Sequence, residues 1–396
     1  GGGADTVILS PDSLTKYYAT SEDNYPIVYV HDAENVTIKD LVVDGAGKGD
    51  ANFRFQGVGY HNAGGTVDNV EIKGVRDTPF SGAQHGVALY LYNEDGTSRS
   101  ITVRNCDIHD FQKNAMALNA DSTTALTVDV HDNKVTGKGA TDITAQNGIQ
   151  VYADQGSGTI ADNKVTGIAY DGSGWVASSI LNIYGDLDIT GNVVTDTHVG
   201  LYNWDGTGQI SDNAFDIEKV GGYGAGIIAT DPPGAVPSPF AENVAGVQAL
   251  GEMNPQDAVR TLRVTVSGNI VRFSGSDNKD TFGIESDAGY GPDDLNLTVR
   301  ENWVTGFGVG VEIWQCEPDC DDGKFSRVLV DHNKITSNTI GLRSNVDYLT
   351  VDAMDNWWGC NEGPNSDGCD TVAGAGDVDA SPWLVLKLEA DPTVVF

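Results

Sequence analysis

The sequence predicts an all-β fold, a parallel β-solenoid in which one chain coils about 10–12 times around a single core. Three observations predict it. Short runs alternate apolar and polar residues, as in GTIADNKVTG and LDITGNVVTD, which indicates strands. An asparagine follows such a run repeatedly along the chain, and a small residue followed by an aliphatic one recurs about half a turn out of phase with it.

The asparagine series gives the repeat its period, mostly in the twenties to thirties of residues. The interval from Asn213 to Asn269 is 56 residues (269 − 213), and we interpret it as two turns of which one has lost its signature. Asparagine tolerates the left-handed backbone of a tight corner, and stacked asparagines can hydrogen-bond along the solenoid axis. We therefore interpret this column as architecture and not as an active site. Its members are Asp40, Asn69, Asn105, Asn133, Asn163, Asn192, Asn213, Asn269, Asn302, Asn333 and Asn356.

The small-aliphatic series, with examples at Gly148-Ile149 and Gly283-Ile284, marks a second strand in each turn. Leucine-rich repeats have a similar period, but their Leu-x-x-Leu-x-Leu spacing is missing here. A parallel solenoid is the better prediction because stacked turns pair their strands and bury one continuous core.

We divide the chain into three parts. Residues 1–35 are predicted to form an N-terminal cap with the first turn, because an open solenoid end would expose strand edges. Residues 36–359 form the solenoid, and the proline-rich stretch 231–260, with a short helix predicted near residues 241–250, is a loop inserted into one turn. Residues 360–396 hold a disulfide loop, a cap and the start of a linker to a possible further domain.

The charge balance limits the partners. The chain has 23 Lys and Arg against 57 Asp and Glu, a net charge of -34. This excludes nucleic acid as a partner, because a surface that binds phosphates should be basic. A secreted surface, divalent cation binding or life in high salt remain open. No membrane-spanning run is present, so we expect no membrane insertion by this chain.

The cysteines indicate an oxidising compartment. Cys316 and Cys320 flank one acidic loop, and Cys360 and Cys369 flank another, which predicts two local disulfides. Cys106 is predicted to pack as a small buried apolar residue.

The segments DNWWGCNEGPNSDGC and SPWLVLKLEADPT, together with TAQNGIQV earlier in the chain, resemble extracellular β-helix repeat proteins of bacteria and archaea. The resemblance covers roughly Asp40 to Leu386. It implies a single-stranded right-handed parallel β-helix of the pectate-lyase-like superfold, located at the cell surface. The catalytic motifs of pectate lyases and polygalacturonases are missing, since Gln84-His85-Gly86 is only a fragment of one of them.

The outward positions of the small-aliphatic strands are where chemistry is expected, because side chains alternate in and out along a strand. If successive turns are adjacent, Glu285 and Glu312 lie about 4.8 Å apart, and one carboxyl gains the raised pKa of a general acid. The candidate catalytic residues are Glu285, Asp287, Glu312 and Arg343. The candidate aromatic platforms for sugar rings are Tyr152, Tyr202, Trp204 and Trp314. Ordinary exposed β-sheet surface is the alternative.

Calcium is the one cation that the sequence brings into consideration, and no cofactor is required. The loop CEPDCDDG offers Glu317, Asp319, Asp321 and Asp322 as oxygen ligands, but it matches no known calcium loop. A solvated acidic loop is the alternative.

Three functions are consistent with the sequence. The favoured one is an extracellular structural module of an envelope protein, adhesin or filament, with copies of itself or other envelope proteins as partners. The second is a polysaccharide lyase or glycoside hydrolase that uses the Trp204 to Arg343 face. The third is a non-catalytic carbohydrate-binding module that uses the same face.

Overall fold

The computed structural model describes residues 6–20, 23–52, 54–231, 260–289, 291–316 and 323–386. It confirms the predicted fold class, a parallel β-solenoid of about 11 turns. No α-helix occurs among these residues, and they include no helix long and apolar enough to cross a membrane. A single 3-10 turn, Gly49–Ala51, is the helical element of the described chain.

Each coil contributes strands to three parallel sheets. The long strands β3 (Asp23–Asp44) and β4 (Phe55–Lys73) each run through all three sheets and form the first two coils. The first sheet continues with β5 (Val87–Asn93), β8 (Asn114–Ala120), β11 (Asn147–Tyr152), β14 (Ser178–Ile183), β17 (Val199–Trp204), β20 (Gly224–Thr230), β23 (Thr281–Ala288), β26 (Val309–Gln315), β29 (Ile340–Ser344) and β31 (Val372–Ala373).

The other two sheets complete each coil. The second sheet holds β6 (Arg99–Arg104), β9 (Leu126–His131), β12 (Gly156–Ala161), β15 (Asp186–Thr190), β18 (Thr207–Ser211), β21 (Thr261–Ser267), β24 (Asp294–Arg300), β27 (Phe325–Asp331), β30 (Val351–Asp352) and β32 (Val378–Asp379). The third holds β1 (Val7–Leu9), β7 (Asp107–His109), β10 (Lys134–Thr136), β13 (Lys164–Thr166), β16 (Val193–Thr197), β19 (Ala214–Ile217), β22 (Ile270–Phe273), β25 (Trp303–Thr305) and β28 (Lys334–Thr336). A short strand β2 (Tyr18–Ala19) pairs antiparallel with the start of β3.

Strand pairing of the solenoid begins within residues 1–35 and continues beyond residue 359. Residues 25–33 pair in parallel with residues 55–63, so the first coil begins inside the segment assigned to the cap and the first turn. At the other end, β31 and β32 still pair with β29 and β30. Backbone pairing therefore continues through Asp379.

The core lies between the three sheets and is filled by the inward side chains of every strand. In the first sheet Ile227, Ile284, Val311 and Leu342 lie in register on successive strands, and all four are fully buried. This continuous apolar column is what holds the coils together, because a single coil has too little apolar surface to bury on its own.

The predicted asparagine column exists as a buried ladder. Each amide Nδ2 donates to the Oδ1 of the asparagine one coil further on, at 2.9–3.0 Å, from Asn133 through Asn163, Asn192, Asn213, Asn269, Asn302 and Asn333 to Asn356. The same Oδ1 atoms accept backbone N–H groups, as Asn192 does from Asn163 at 3.0 Å. The ladder thus satisfies polar groups that the corner would otherwise bury unpaired.

One detail of the asparagine prediction is wrong. The left-handed residue is the one before each ladder asparagine, as at Asp162 (φ 55°) and Asp212 (φ 56°). In the first three coils Asp40, Asn69 and Asn105 occupy that left-handed position themselves. Each of them therefore precedes the ladder position by one residue. One residue cannot be both the left-handed corner and the inward-pointing member of the ladder.

The interpretation of the 56-residue interval as two turns is also wrong. Asn213 donates directly to Asn269, and β19 pairs directly with β22. The interval is one coil, and its extra length falls in residues 232–259. That stretch, including the predicted short helix, lies outside the described residues.

The cysteines agree with the prediction where they can be compared. Cys106 is 2% exposed and packs in the core. Cys360 and Cys369 form a pair with Cα atoms 5.3 Å apart. Cys320 lies outside the described residues, so its pairing with Cys316 stays a prediction.

Candidate functional site

The predicted catalytic residues lie together on the outer face of the first sheet. Glu285 of β23, Glu312 of β26 and Arg343 of β29 are direct partners on three successive strands. Asp287 follows two residues after Glu285 and therefore lies on the same face. We call Glu285, Asp287, Glu312 and Arg343, with Tyr223 described below, the acidic site.

Arg343 and Glu312 form a bidentate ion pair. The Arg343 Nε lies 2.9 and 2.8 Å from the two carboxylate oxygens of Glu312, and Nη2 lies 2.6 Å from Oε2. The Glu312 side chain is 3% exposed, whereas that of Arg343 is 36% exposed. Burial raises the pKa of Glu312, and the guanidinium opposes this by favouring the carboxylate.

Glu285 is the carboxyl group with a pKa suited to proton transfer. Its side chain keeps some solvent contact, but protein surrounds the carboxyl itself. Burial raises the pKa of Glu285 to about 7, although a hydrogen bond from the Tyr223 hydroxyl to Oε2 favours the ionised form. The neighbouring Glu312 charge raises the pKa further.

Asp287 adds a third carboxyl group to the site. Burial raises its pKa well above the ordinary value, and the charges of Glu285, Glu312 and Asp231 act in the same direction. Its partner in register on the next strand is Trp314, which is 41% exposed. Burial raises the pKa of all three carboxyls, and repulsion from neighbouring carboxylates adds to this at Glu285 and Asp287, so the site holds at least one proton near neutral pH.

Three further residues of this region lie just outside the strands, where the sequence has no periodic pattern. Tyr223 reaches Glu285 from just before β20. His198 lies edge-on to Tyr223, with ring centroids 5.9 Å apart, and burial lowers its pKa to about 4. Asp231 follows β20, is fully buried, and accepts the Gly289 N–H at 3.1 Å.

The predicted aromatic platforms differ in how far they are exposed to solvent. Tyr152, Tyr202 and Trp204 lie on the outer face, but Tyr152 is only 2% exposed and Trp204 only 4% exposed. Tyr152 packs beside Tyr184 at 5.7 Å, and Trp204 stacks with the half-buried Tyr202 at 5.8 Å. The expectation of open ring faces is therefore wrong for Tyr152 and Trp204, because the outer face of these coils is itself covered.

A second group of carboxylates lies where strands of the first sheet end. Arg260 Nη2 contacts Asp205 Oδ2 at 2.5 Å and Asp293 Oδ2 at 2.7 Å, and Nη1 lies 4.0 Å from Asp154. Burial raises the pKa of Asp205 to about 7, and the Arg260 charge opposes the shift. These residues lie in the connections between the first and second sheets, so strand alternation could not identify them.

The predicted calcium ligands Glu317, Asp319, Asp321 and Asp322 lie outside the described residues. Within the described part of the chain, one group of three potential ligands brings its atoms within 4.8 Å of one another, namely Cys360, Glu362 and Cys369. Two of its members are the paired cysteines, so their sulfur atoms are not free thiolates. This group does not form a metal site while the pair is oxidised.

No known protein family matches the chain, and no curated protein matches it.

Proposed function

We propose that the protein is an extracellular β-solenoid module that works at a cell surface and hydrolyses a neutral polysaccharide at its acidic site. The observation that supports this most is the gathering of Glu285, Asp287 and Glu312 on one face of the first sheet, with Arg343 paired to Glu312. Holding several carboxyl groups together away from water costs folding free energy. Such groups are enriched at functional sites for that reason.

The two glutamates have the properties of an acid and a base partner. Glu285, with its pKa raised to about 7, donates a proton to the glycosidic oxygen as the bond to the sugar carbon breaks. Glu312, ionised beside Arg343, attacks that carbon. Water then displaces Glu312 and returns a proton to Glu285. Neighbouring strands are spaced about 4.8 Å apart, close to the ~5 Å carboxyl separation of retaining glycosidases.

The charges favour a neutral substrate over an acidic one. A lyase that acts on a uronate needs a cation to neutralise the carboxylate of the substrate. Among the described residues, Arg343 is the one cation that acts on Glu285 and Glu312, and it is already paired with Glu312. The net charge of -34 also repels acidic polymers. Hydrolysis of a neutral glycan is therefore the better proposal than elimination from an acidic one.

The extracellular setting is supported by the cysteine pair Cys360–Cys369, since disulfides persist in oxidising compartments. The resemblance of the C-terminal segments to cell-surface β-helix proteins supports the same location.

The test is release of reducing ends from a panel of neutral polysaccharides. Glu285→Gln and Glu312→Gln should each lower the rate at least about 100-fold while polymer binding persists. Trp314→Ala should weaken binding, and Glu301→Gln, at an exposed corner, serves as the control. Equal rates for the wild type and Glu285→Gln, or no release from any polymer, would refute the proposed hydrolysis.

A purely structural role is the second candidate, and exposed apolar side chains at both ends of the solenoid favour it. Val7 and Leu9 are 55% and 58% exposed at the N-terminal end, and Leu384, Val385 and Leu386 are 39–61% exposed at the other. Such surfaces are typical of contacts with further protein. Electron microscopy of the native protein, with and without a chelator, would reveal ordered polymers if this role is correct, and dispersed monomers would exclude it.

A further inference from the structure

Aromatic rings form a stack at the N-terminal end of the solenoid, far from the acidic site. Tyr29 of the first coil lies 5.0 Å from Tyr17, 5.3 Å from Tyr18 and 4.9 Å from His31, measured between ring centroids. Tyr18 in turn lies 4.4 Å from His61 of the second coil. The planes of these contacting pairs differ by only 8–28°. The five rings are therefore a stack with one common orientation.

Polar groups hold part of this stack in place. The Tyr29 hydroxyl lies 3.4 Å from His61 Nδ1, and His61 Nε2 lies 3.0 Å from the Glu94 carboxylate. The buried Tyr18 donates its hydroxyl to Gln56 at 3.0 Å. These contacts fix the inner rings before any ligand arrives, which lowers the entropic cost of binding.

The outer part of the stack is open to solvent. Tyr17 is 51% exposed, and the His31 side chain is 57% exposed and lies 3.0 Å from the Asp32 carboxylate. A cavity of about 650 Å³ is lined by Tyr17, Tyr18, Tyr29, His31, Asp32 and His61. This volume is in the range of small-molecule sites, which combine apolar walls with a few polar groups.

We propose that this cavity is a binding site for a neutral sugar unit of a polysaccharide. A sugar ring has an apolar face that can extend the stack at Tyr17, and hydroxyl groups that can bond with His31 and Asp32. Cages for quaternary ammonium ions surround the cation with several ring faces, whereas the rings here share one orientation. Asp32 and the acidic surface disfavour an anionic sugar.

The cavity lies on the same outer face as the acidic site, but at a distance. Tyr29 and Glu285 belong to one register column that passes through Gly59, Tyr90, Ala117, Gln150, Leu181, Tyr202 and Ile228. Eight strand steps of about 4.8 Å separate them by roughly 38 Å. The aromatic cavity would thus bind a long polymer independently of the reaction at the acidic site. This binding function goes beyond the proposed hydrolysis.

Affinity electrophoresis of the full chain in gels containing hydroxyethyl cellulose, glucomannan, arabinoxylan or polygalacturonate tests the site. The Trp314→Ala background removes the exposed ring beside the acidic site. At least one neutral polymer should retard the Trp314→Ala protein. Adding Tyr17→Ala to that protein should weaken the retardation about five- to tenfold. Tyr17→Phe keeps the ring and should bind normally. Trp303→Ala removes another exposed ring, on the third sheet, and should also bind normally.

Each outcome decides the inference. Tyr17→Ala uses an exposed side chain, so its circular dichroism spectrum and melting temperature should match the wild type. Retardation by no neutral polymer, unchanged retardation of Tyr17→Ala, or stronger retardation by polygalacturonate would overturn the proposal. Binding without hydrolysis would refute the proposed hydrolysis alone, and hydrolysis without a Tyr17 effect would refute this site alone.

Discussion

At the scale of single residues, the outer face of the first sheet carries carboxyl groups whose protons are held unusually tightly. Burial is the largest cause for Glu285, Asp287 and Asp205 alike, and the charge of a neighbouring carboxyl adds to it. Arg343 and Arg260 each compensate only part of the negative charge around them. These residues therefore make the stability of the protein depend on pH.

Asp205 gives the clearest pH prediction. Its folded pKa of about 7 lies above the value of about 3.9 in the unfolded chain, so folding favours the protonated form. The stabilising contribution is complete below about pH 4 and is lost as the pH rises through 7. Asp205→Asn should remove this loss, because Arg260 keeps its contacts with Asp293 at 2.7 and 2.8 Å.

The measurement is the free energy of unfolding in urea at pH 5 and pH 8. The wild type should lose on the order of 1 kcal/mol more than Asp205→Asn between the two values. Asp188→Asn, at an exposed position of the second sheet, is the matched control and should follow the wild type. A steeper loss in Asp205→Asn than in the wild type would contradict the assignment.

At the scale of the elements, the asparagine ladder shows that the same position in successive coils can be occupied by different residues. In the coil that contains Asn105, the ladder position is taken by Cys106, whose N–H donates to Asn133 Oδ1 at 3.0 Å. Its Sγ lies 3.7 Å from the Val67 carbonyl oxygen. The ladder asparagines place their Nδ2 on the equivalent carbonyl, as Asn133 does on Val103 at 2.8 Å.

Cys106→Asn should therefore add one rung to the ladder. The new amide can donate to the Val67 carbonyl, and we expect the free energy of unfolding to rise by about 0.5–1.5 kcal/mol. Urea unfolding with Cys106→Ser and Asn163→Ala as comparisons measures it. Asn163→Ala should lose roughly 2 kcal/mol or more, because it leaves the buried Asn133 N–H without its acceptor. A Cys106→Asn protein less stable than Cys106→Ser would contradict the prediction.

Strand-level features were predictable from the sequence, and features made by loops were not. Alternation and period alone predicted the parallel sheets and the register of Glu285, Glu312 and Arg343, because parallel pairing repeats the same face in every coil. Tyr223 and Asp231 stand just outside the regular strands. The burial of Trp204 depends on what packs over the outer face, which strand periodicity does not encode.

The corner asparagines show a finer limit of the same kind. Asn105 and Asn133 look equivalent in sequence, yet the first is a left-handed corner and the second an inward rung. Both positions accept asparagine for different physical reasons, so composition cannot distinguish them. Only the hydrogen bonds between coils assign each residue to its column.

At the scale of the whole molecule, the dominant feature is a net charge of -34 spread along a solenoid with a continuous apolar core. Many acidic side chains lie on exposed positions of the second sheet, such as Asp129, Asp186 and Asp188. Asp129 and Asp188 both pair in register with Thr159, so only one strand separates them. Repulsion of this kind favours the unfolded chain, in which the charges move apart.

Salt should therefore stabilise the protein. Raising KCl from 0.1 M to 1 M shortens the screening length from about 10 Å to about 3 Å, so repulsion between carboxylates on different strands weakens. We expect the melting temperature to rise steadily over this range, and the double variant Asp129→Asn/Asp188→Asn to melt higher at 0.1 M with a smaller response to KCl. Calcium at millimolar concentration and a chelator should each change the melting temperature little. If the melting temperature is independent of KCl but rises with calcium and falls again on chelation, the acidic residues bind cations instead.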